Sequence, residues 1–233
     1  MNGKKNIAVK VRQRIGAVMK WAIAQGFRAD DPTGAALTAV LPKSGQRTQH
    51  HRALPFAEVG NATAIVRATN AWPATKMAFE LLVLTACRSS EVRLADWTEF
   101  KLDEAIWTIP ESRMKSGREH RVPLSRQAVD LLLQAQALGD GVGYVFKTPT
   151  GKTLSDTAIS KLLRENGVAV VPHGFRSSFR DWAADCTNVP REICEHALAH
   201  VEGSASERAY RRTDYFEHRR ALMQQWADYV LGS

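Results

Sequence analysis

Apolar residues at Val11, Ile15, Val18, Ala22 and Ile23 recur at helical spacing, with Lys10, Arg12, Arg14 and Lys20 between them, so the first segment predicts a helix with one apolar stripe. The run DDPTG at 30–34 is expected to stop it, because proline disfavours helix in the residue ahead and a glycine follows. A lone amphipathic helix cannot bury its stripe on itself. It must lean on the domain that follows, meet another chain, or be the remnant of a longer protein. Residues 42–52, PKSGQRTQHHR, hold Pro, Gly, Ser and basic side chains with almost nothing apolar, which is linker composition. We therefore divide the chain into 1–52 and 53–233.

Beyond that boundary LPFAEVGNATAIVRATN again has helical periodicity. MAFELLVLTACRSSEVRLADW predicts a helix apolar on all sides, hence buried around Phe79 to Leu84, then a polar turn and another helix. The period then shortens. AIWTIP and HRVPL predict two short strands, with the turn in KSGRE between them. SRQAVDLLLQAQAL predicts a helix. YVFKTPTGKTLS predicts an extended piece containing Tyr144, and SDTAISKLLRENG a helix capped by Ser155 or Asp156, followed by three more helical stretches. The fold class expected is mixed α/β, a mainly α-helical domain with a small antiparallel sheet.

Composition adds a partner class. Among 233 residues, Lys and Arg outnumber Asp and Glu by 32 to 24, a net charge of +8 that favours a polyanion such as DNA, RNA or an acidic membrane, or else a merely solvated basic surface. No run reaches the roughly 18 apolar residues of a membrane span, and MNGKKNIAVKVRQR lacks a secretion signal's apolar core, so a cytoplasmic protein without membrane partners is expected. Cys87, Cys186 and Cys194 are odd in number and match no zinc spacing, which reads as reduced thiols.

Candidate chemistry begins with HGFR. His173 and Arg176, three apart near a helix start marked by Pro172, share one face and suit a single anion, although an isolated HxxR also arises by chance. Arg88 follows directly on the buried helix, anchored at a junction of the core, and two arginines on different elements match the two free oxygens of a phosphate diester. Glu91 either orients Arg88 or is only its helix neighbour. Lys115, at the tip of RMKSGREHRVPL, can donate a proton to a leaving alkoxide, or belong to the solvated cluster of Arg113, Arg118, His120 and Arg121. His200 precedes Tyr210 by ten residues; a phenol near cations can attack phosphorus, or be core. Tyr215, five residues on, would point elsewhere if both lay on one helix.

The series Arg88 with Glu91, Lys115 in a hairpin, HGFR, LAHVEG and AYRR resembles the tyrosine recombinases, the phage-type integrases, and within them the integrases of prophages and genomic islands. The resemblance covers about 53–233. It implies that Arg88 and Arg176 bind the scissile phosphate, Lys115 is the general acid, Tyr210 is the nucleophile forming a 3′-phosphotyrosyl link, His173 handles the nucleophile's proton, His200 bonds the phosphate and Glu91 supports the site. No metal or other cofactor is implied. The partners implied are double-stranded attachment-site DNA, a DNA-assembled homotetramer with possible tail exchange, and accessory bending or directionality proteins, in a nucleoid-associated setting. Residues 1–52 resemble only the closing helix of the core-binding domain and its linker, as in a truncated relative. A type IB topoisomerase and a DNA-binding fragment without catalysis are the alternatives. The tail, with Leu222, Met223, Trp226 and Val230 on one stripe, packs on its own domain or on a neighbour.

Overall fold

A computed structural model describes residues 2–34, 37, 53–200 and 213–232. The chain forms two compact units, 1–49 and 50–233. In the first unit helix α1 spans Asn2–Ala24. It ends six residues ahead of the DDPTG run expected to stop it. The stop is Gly26 in the left-handed region (φ 75°), with Gly26 N–H donating to Ile23 O at 3.0 Å and Phe27 N–H to Ala22 O at 2.9 Å. This pair of bonds is the Schellman arrangement, which absorbs carbonyls that a helix end leaves without partners. Trp21 and Phe27 close it with ring centroids 5.9 Å apart.

In the second unit the order is α2 (Val59–Ala68), α3 (Pro73–Thr85), α4 (Ser89–Arg93), β1 (Phe100–Lys101), β2 (Ile106–Ile109), β3 (His120–Pro123), α5 (Arg126–Leu138), α6 (Ala158–Glu165), α7 (Gly174–Cys186), α8 (Arg191–Ala197) and α9 (Phe216–Leu231). The mixed, mainly helical class with a small antiparallel sheet is what the structure shows. The three strands lie in the order β1-β2-β3, with Phe100 opposite Trp107 and Ile109 opposite His120. Strand β1 extends the expected hairpin. The link between β2 and β3 is longer than a tight turn, running through a 3-10 turn at Glu111–Arg113 before Gly117 N–H closes on Met114 O at 3.0 Å.

Helix α3 is the axis of the unit. Proline suits its first position, and Ala78 through Thr85 are buried without interruption, the all-round burial its apolar sequence predicts. Helices α2, α5, α6 and α9 pack around it. Each fully buried Leu or Phe there contributes roughly 1.5–3 kcal/mol. Phe79 meets Phe175 edge-on at 5.2 Å, and Phe179, Trp182, Trp226 and Tyr229 form a continuous aromatic chain between α7 and α9. Leu222, Met223, Trp226 and Val230 of α9 are buried on their own domain.

Two local expectations differ from the structure. Thr157, not Ser155 or Asp156, occupies the N-cap of α6, because Ala158 N–H turns back onto the backbone carbonyl of Ser155 (3.1 Å). Tyr144 forms an isolated bridge with Asp96 rather than lying in a strand, since the glycines at 141 and 143, both at positive φ, break up the extended run. Among the described residues no helix is long and apolar enough to cross a membrane.

Candidate active site

The site grows from the end of α3. Ala86 adopts a left-handed conformation (φ 50°), which stops the helix and turns the chain so that Arg88 stands extended as the N-cap of α4. Glu91, one turn into that short helix, accepts from the Arg88 backbone N–H and from its Nη1, both at 2.6 Å. The carboxylate is 2% exposed and the Arg88 side chain 21%, so the pair is fixed in the wall of the domain rather than waving in solvent. Glu91 therefore grips Arg88 as well as following it along the helix. Arg113 braces the same corner: its Nε and Nη2 hold both oxygens of Glu99 at 2.7 and 2.6 Å, and its Nη1 donates to Glu91 O at 3.1 Å. That bidentate grip ties the base of the β2–β3 link to α4.

Arg176 comes from α7 and is 3% exposed. Its Nη1 donates to Ala86 O at 2.5 Å and its Nη2 to Leu198 O at 2.6 Å, with His200 Nε2 a further 3.2 Å contact of Nη2. The two carbonyls lie at the C-terminal ends of α3 and α8, where helices leave acceptors without partners and carry partial negative charge, so one guanidinium joins two helix ends. Arg176 Nε–H has no hydrogen-bond partner among the described residues. Burial, and after it the charge of Arg88, push the Arg176 pKa below its ordinary value. Two like charges held this close, one of them buried, form a site that favours an anion.

His200 closes the third side. Arginine only donates, so the Arg176 contact makes Nε2 of His200 the acceptor, and Nδ1–H is directed at Glu195 Oε2, 2.5 Å away. His173 is exposed at the N-cap of α7, one turn ahead of Arg176. Lys115 is exposed in the β2–β3 link, two residues beyond the Arg113 brace. Arg88, Arg176, His200 and Glu91 are thus brought together around the ends of α3 and α8, with His173 on the same helix as Arg176. Lys115 stands on the neighbouring turn. Tyr210 lies outside the described residues. Tyr215 does not belong to a helix: it takes φ 54° at the N-cap of α9, with its ring edge-on to His196 at 5.2 Å, so the helical rotation used to set it against Tyr210 does not apply.

Three buried polar residues beside the site escape a motif reading. His120 on β3 is 9% exposed, and burial, followed by the charge of Arg219, lowers its pKa to about 3 against the pull of a hydrogen bond to the Ala197 backbone. Strand alternation was the signal, since position 120 shares a face with buried Val122. Arg219 is 1% exposed and donates to Arg121 O (2.6 Å), Asp214 O (2.7 Å) and Asp214 Oδ2 (3.0 Å), fastening the start of α9 to β3. Its sequence signal is a position on the apolar stripe of the tail. Glu195 is the third, 3% exposed. Cys87, directly ahead of Arg88 in the chain and within the electrostatic reach of both arginines, has its thiol pushed up to about 12, first by burial and then by Glu91. Among the described residues no group of three or more His, Cys, Asp or Glu is arranged to hold a metal ion.

Comparison with known proteins matches this arrangement to one family. The chain is 31% identical to the integrase of Enterobacteria phage P4 over 248 residues, which is 98% of this chain and 56% of that protein. It therefore spans little more than half the length of that relative. In the crystal structure of a lambda integrase dimer bound to a COC′ core site, the matching region covers 86% of this chain and 74% of that one, with a TM-score of 0.64 at 17% identity. A lambda integrase tetramer bound to a Holliday junction matches with a TM-score of 0.60 at 15% identity, over 85% of this chain and 57% of that one. The model of the phage integrase family matches residues 53–217, most of the second unit and all of the cluster built from Arg88, Arg176 and His200, so the chain belongs to the phage integrase family.

Proposed function

We propose that the chain is the catalytic part of a site-specific DNA recombinase that cuts and rejoins strands by transesterification. The observation that carries the reading is the convergence of Arg88 and Arg176, with His200, at two helix ends, Arg176 buried and its Nε–H without a described partner. A phosphate diester is the anion such a fork fits, because two guanidinium groups can take its two free oxygens and offset the charge that grows in the transition state. Tyr210 Oη attacks phosphorus; the P–O5′ bond breaks, and a 3′-phosphotyrosyl ester keeps the energy of the cut bond for the reverse attack by a 5′-hydroxyl. Lys115, on its exposed turn, gives a proton to the departing 5′-oxygen. His173 receives the phenol proton. His200 bonds a phosphate oxygen, and Glu91 holds Arg88 in place.

The substrate in this reading is double-stranded attachment-site DNA, and the element moved is a prophage or genomic island. Residues 1–52 are the closing helix of a core-binding domain and a linker. Assembly into a tetramer takes place on DNA, as in the lambda integrase tetramer on its junction. Exchange of the tail between subunits is confined to that state, since Leu222, Met223, Trp226 and Val230 are buried within the chain's own domain.

The test is a nicked suicide duplex carrying the attachment core. The expected result is a covalent protein–DNA adduct that disappears in Tyr210→Phe, with the cross-linked peptide containing residue 210. Binding without any adduct would make the chain a DNA-binding fragment. Relaxation of supercoils without recombinant junctions would make it a type IB topoisomerase.

A further inference from the structure

Helix α8 ends as α1 does, in a Schellman turn: Ala199 N–H donates to His196 O at 3.0 Å and His200 N–H to Glu195 O at 2.9 Å, with Ala199 at φ 49°. This geometry places the side chain two residues past the helix against the one in its last turn, a contact usually made by two apolar groups. Here the two positions hold His200 and Glu195, and the contact is a hydrogen bond from Nδ1–H to Oε2 at 2.5 Å. The other oxygen of Glu195 lies 2.9 Å from Arg180 Nε and 3.8 Å from Arg191 Nε, within ion-pair distance but without hydrogen-bond geometry, so the almost wholly buried carboxylate has its one hydrogen bond among these groups with His200.

From this geometry we infer that Glu195 is a positioning residue for the reaction. It fixes the ring orientation and tautomer of His200 so that Nε2, and not Nδ1, faces Arg176 and the phosphate. A carboxylate behind an imidazole acts this way because it accepts only, leaving Nδ1 no role but donor and the far nitrogen as the working atom. When a phosphate oxygen reaches the site, Nε2 takes a proton from solvent and donates it in a hydrogen bond. Glu195 offsets the charge that the ring then carries. The buried carboxylate and the turn that aims it are features of this chain's own α8, and the inference about the reaction rests on the phosphate-cleaving reading given above.

Nitrogen-15 NMR of the histidine rings tests the positioning directly, with no need for cleavage. His200 is assigned by its loss in His200→Ala. In the DNA-free protein its Nδ1 should be protonated and its Nε2 bare, and Glu195→Leu should weaken that preference, leaving it to the Arg176 contact at Nε2, while Glu195→Gln, whose amide oxygen still accepts, should retain it. In single-turnover cleavage of the suicide duplex, Glu195→Leu is expected to slow adduct formation about 10–100-fold, with Glu195→Gln recovering most of the loss and DNA binding little changed. In a His200→Ala background the Glu195→Leu change should have no further effect, as for two groups acting in series. An unaltered His200 tautomer in Glu195→Leu, or a loss of cleavage that persists fully without His200, overturns the inference. Absence of an adduct from the unmutated chain overturns the cleavage reading and leaves the NMR result to decide on Glu195. Should the Leu variant fail to fold, the unmutated protein still decides: a His200 ring with Nε2 protonated and Nδ1 bare there refutes the inference.

Discussion

Arg176 has a structural task besides the chemical one proposed for it. Its head group satisfies the carbonyls of Ala86 and Leu198 in the interior. Arg176→Ala is therefore expected to abolish cleavage and also to lower the unfolding free energy, since each buried acceptor left without a partner costs about 1–3 kcal/mol; urea unfolding measured beside the adduct assay separates the two effects. Arg88→Ala should abolish cleavage as well, and near-normal turnover by either variant would contradict the role assigned to it. His120 makes a second prediction at this scale. Its folded pKa of about 3 lies well under the ordinary histidine value of 6.5, so between these the unfolded chain binds the extra proton and stability falls as pH drops. The contribution is complete above pH 6.5 and declines by up to ~1.4 kcal/mol per pH unit below it. Unfolding of His120→Gln across pH 4–7 should show that much less slope than the unmutated protein. Motif spacing makes Arg88, Arg176 and His200 legible in the sequence, because each stands in a recognisable string. Glu195 and Arg219 are not legible that way, because their importance lies in what a turn and a buried stripe bring beside them.

At the level of elements, the site depends on where helices stop. Ala86 and Ala199 both take left-handed backbone at the ends of α3 and α8, a conformation that a β-branched residue tolerates poorly. Ala199→Val should lower stability by about 1–2 kcal/mol and reduce cleavage through the displaced His200, while Ala199→Gly should fold and cleave normally; thermal unfolding and the adduct assay check both. Gly60, in the first turn of α2, matters for a different reason, a close approach of backbones. A Cβ added there would lie 2.8 Å from Val230 O, so Gly60→Ala should push α9 away from α2 and lower the melting temperature. Helix existence, burial of α3 and the paired strands β2 and β3 follow from hydrophobic period alone. Helix ends do not: the period of apolar residues says nothing of Gly26 closing α1 early or of Thr157 capping α6, which are matters of single backbone angles and one hydrogen bond. The same gap hid Ala86, whose left-handed turn sets Arg88 beside Arg176 although nothing in the string TACRSS marks it.

The whole molecule carries a net charge of +8, and binding to duplex DNA should weaken steeply with salt, the logarithm of the affinity falling by about 0.9 per tenfold salt for every phosphate neutralised. Fluorescence anisotropy on the attachment core from 50 to 300 mM salt measures that slope, and a flat response would argue against a backbone-reading surface. The three thiols differ sharply in access: Cys87 and Cys194 are buried, with their pKa values raised to about 12 and about 11 mainly by burial, while Cys186 is exposed at the end of α7. A brief maleimide treatment of the folded chain should thus modify position 186 alone, one adduct by mass spectrometry against three after denaturation. The sequence thereby offers a ready-made attachment point for a fluorophore, away from the arginine cluster, through which the proposed gathering of subunits on a single DNA molecule can be tested without first engineering the protein.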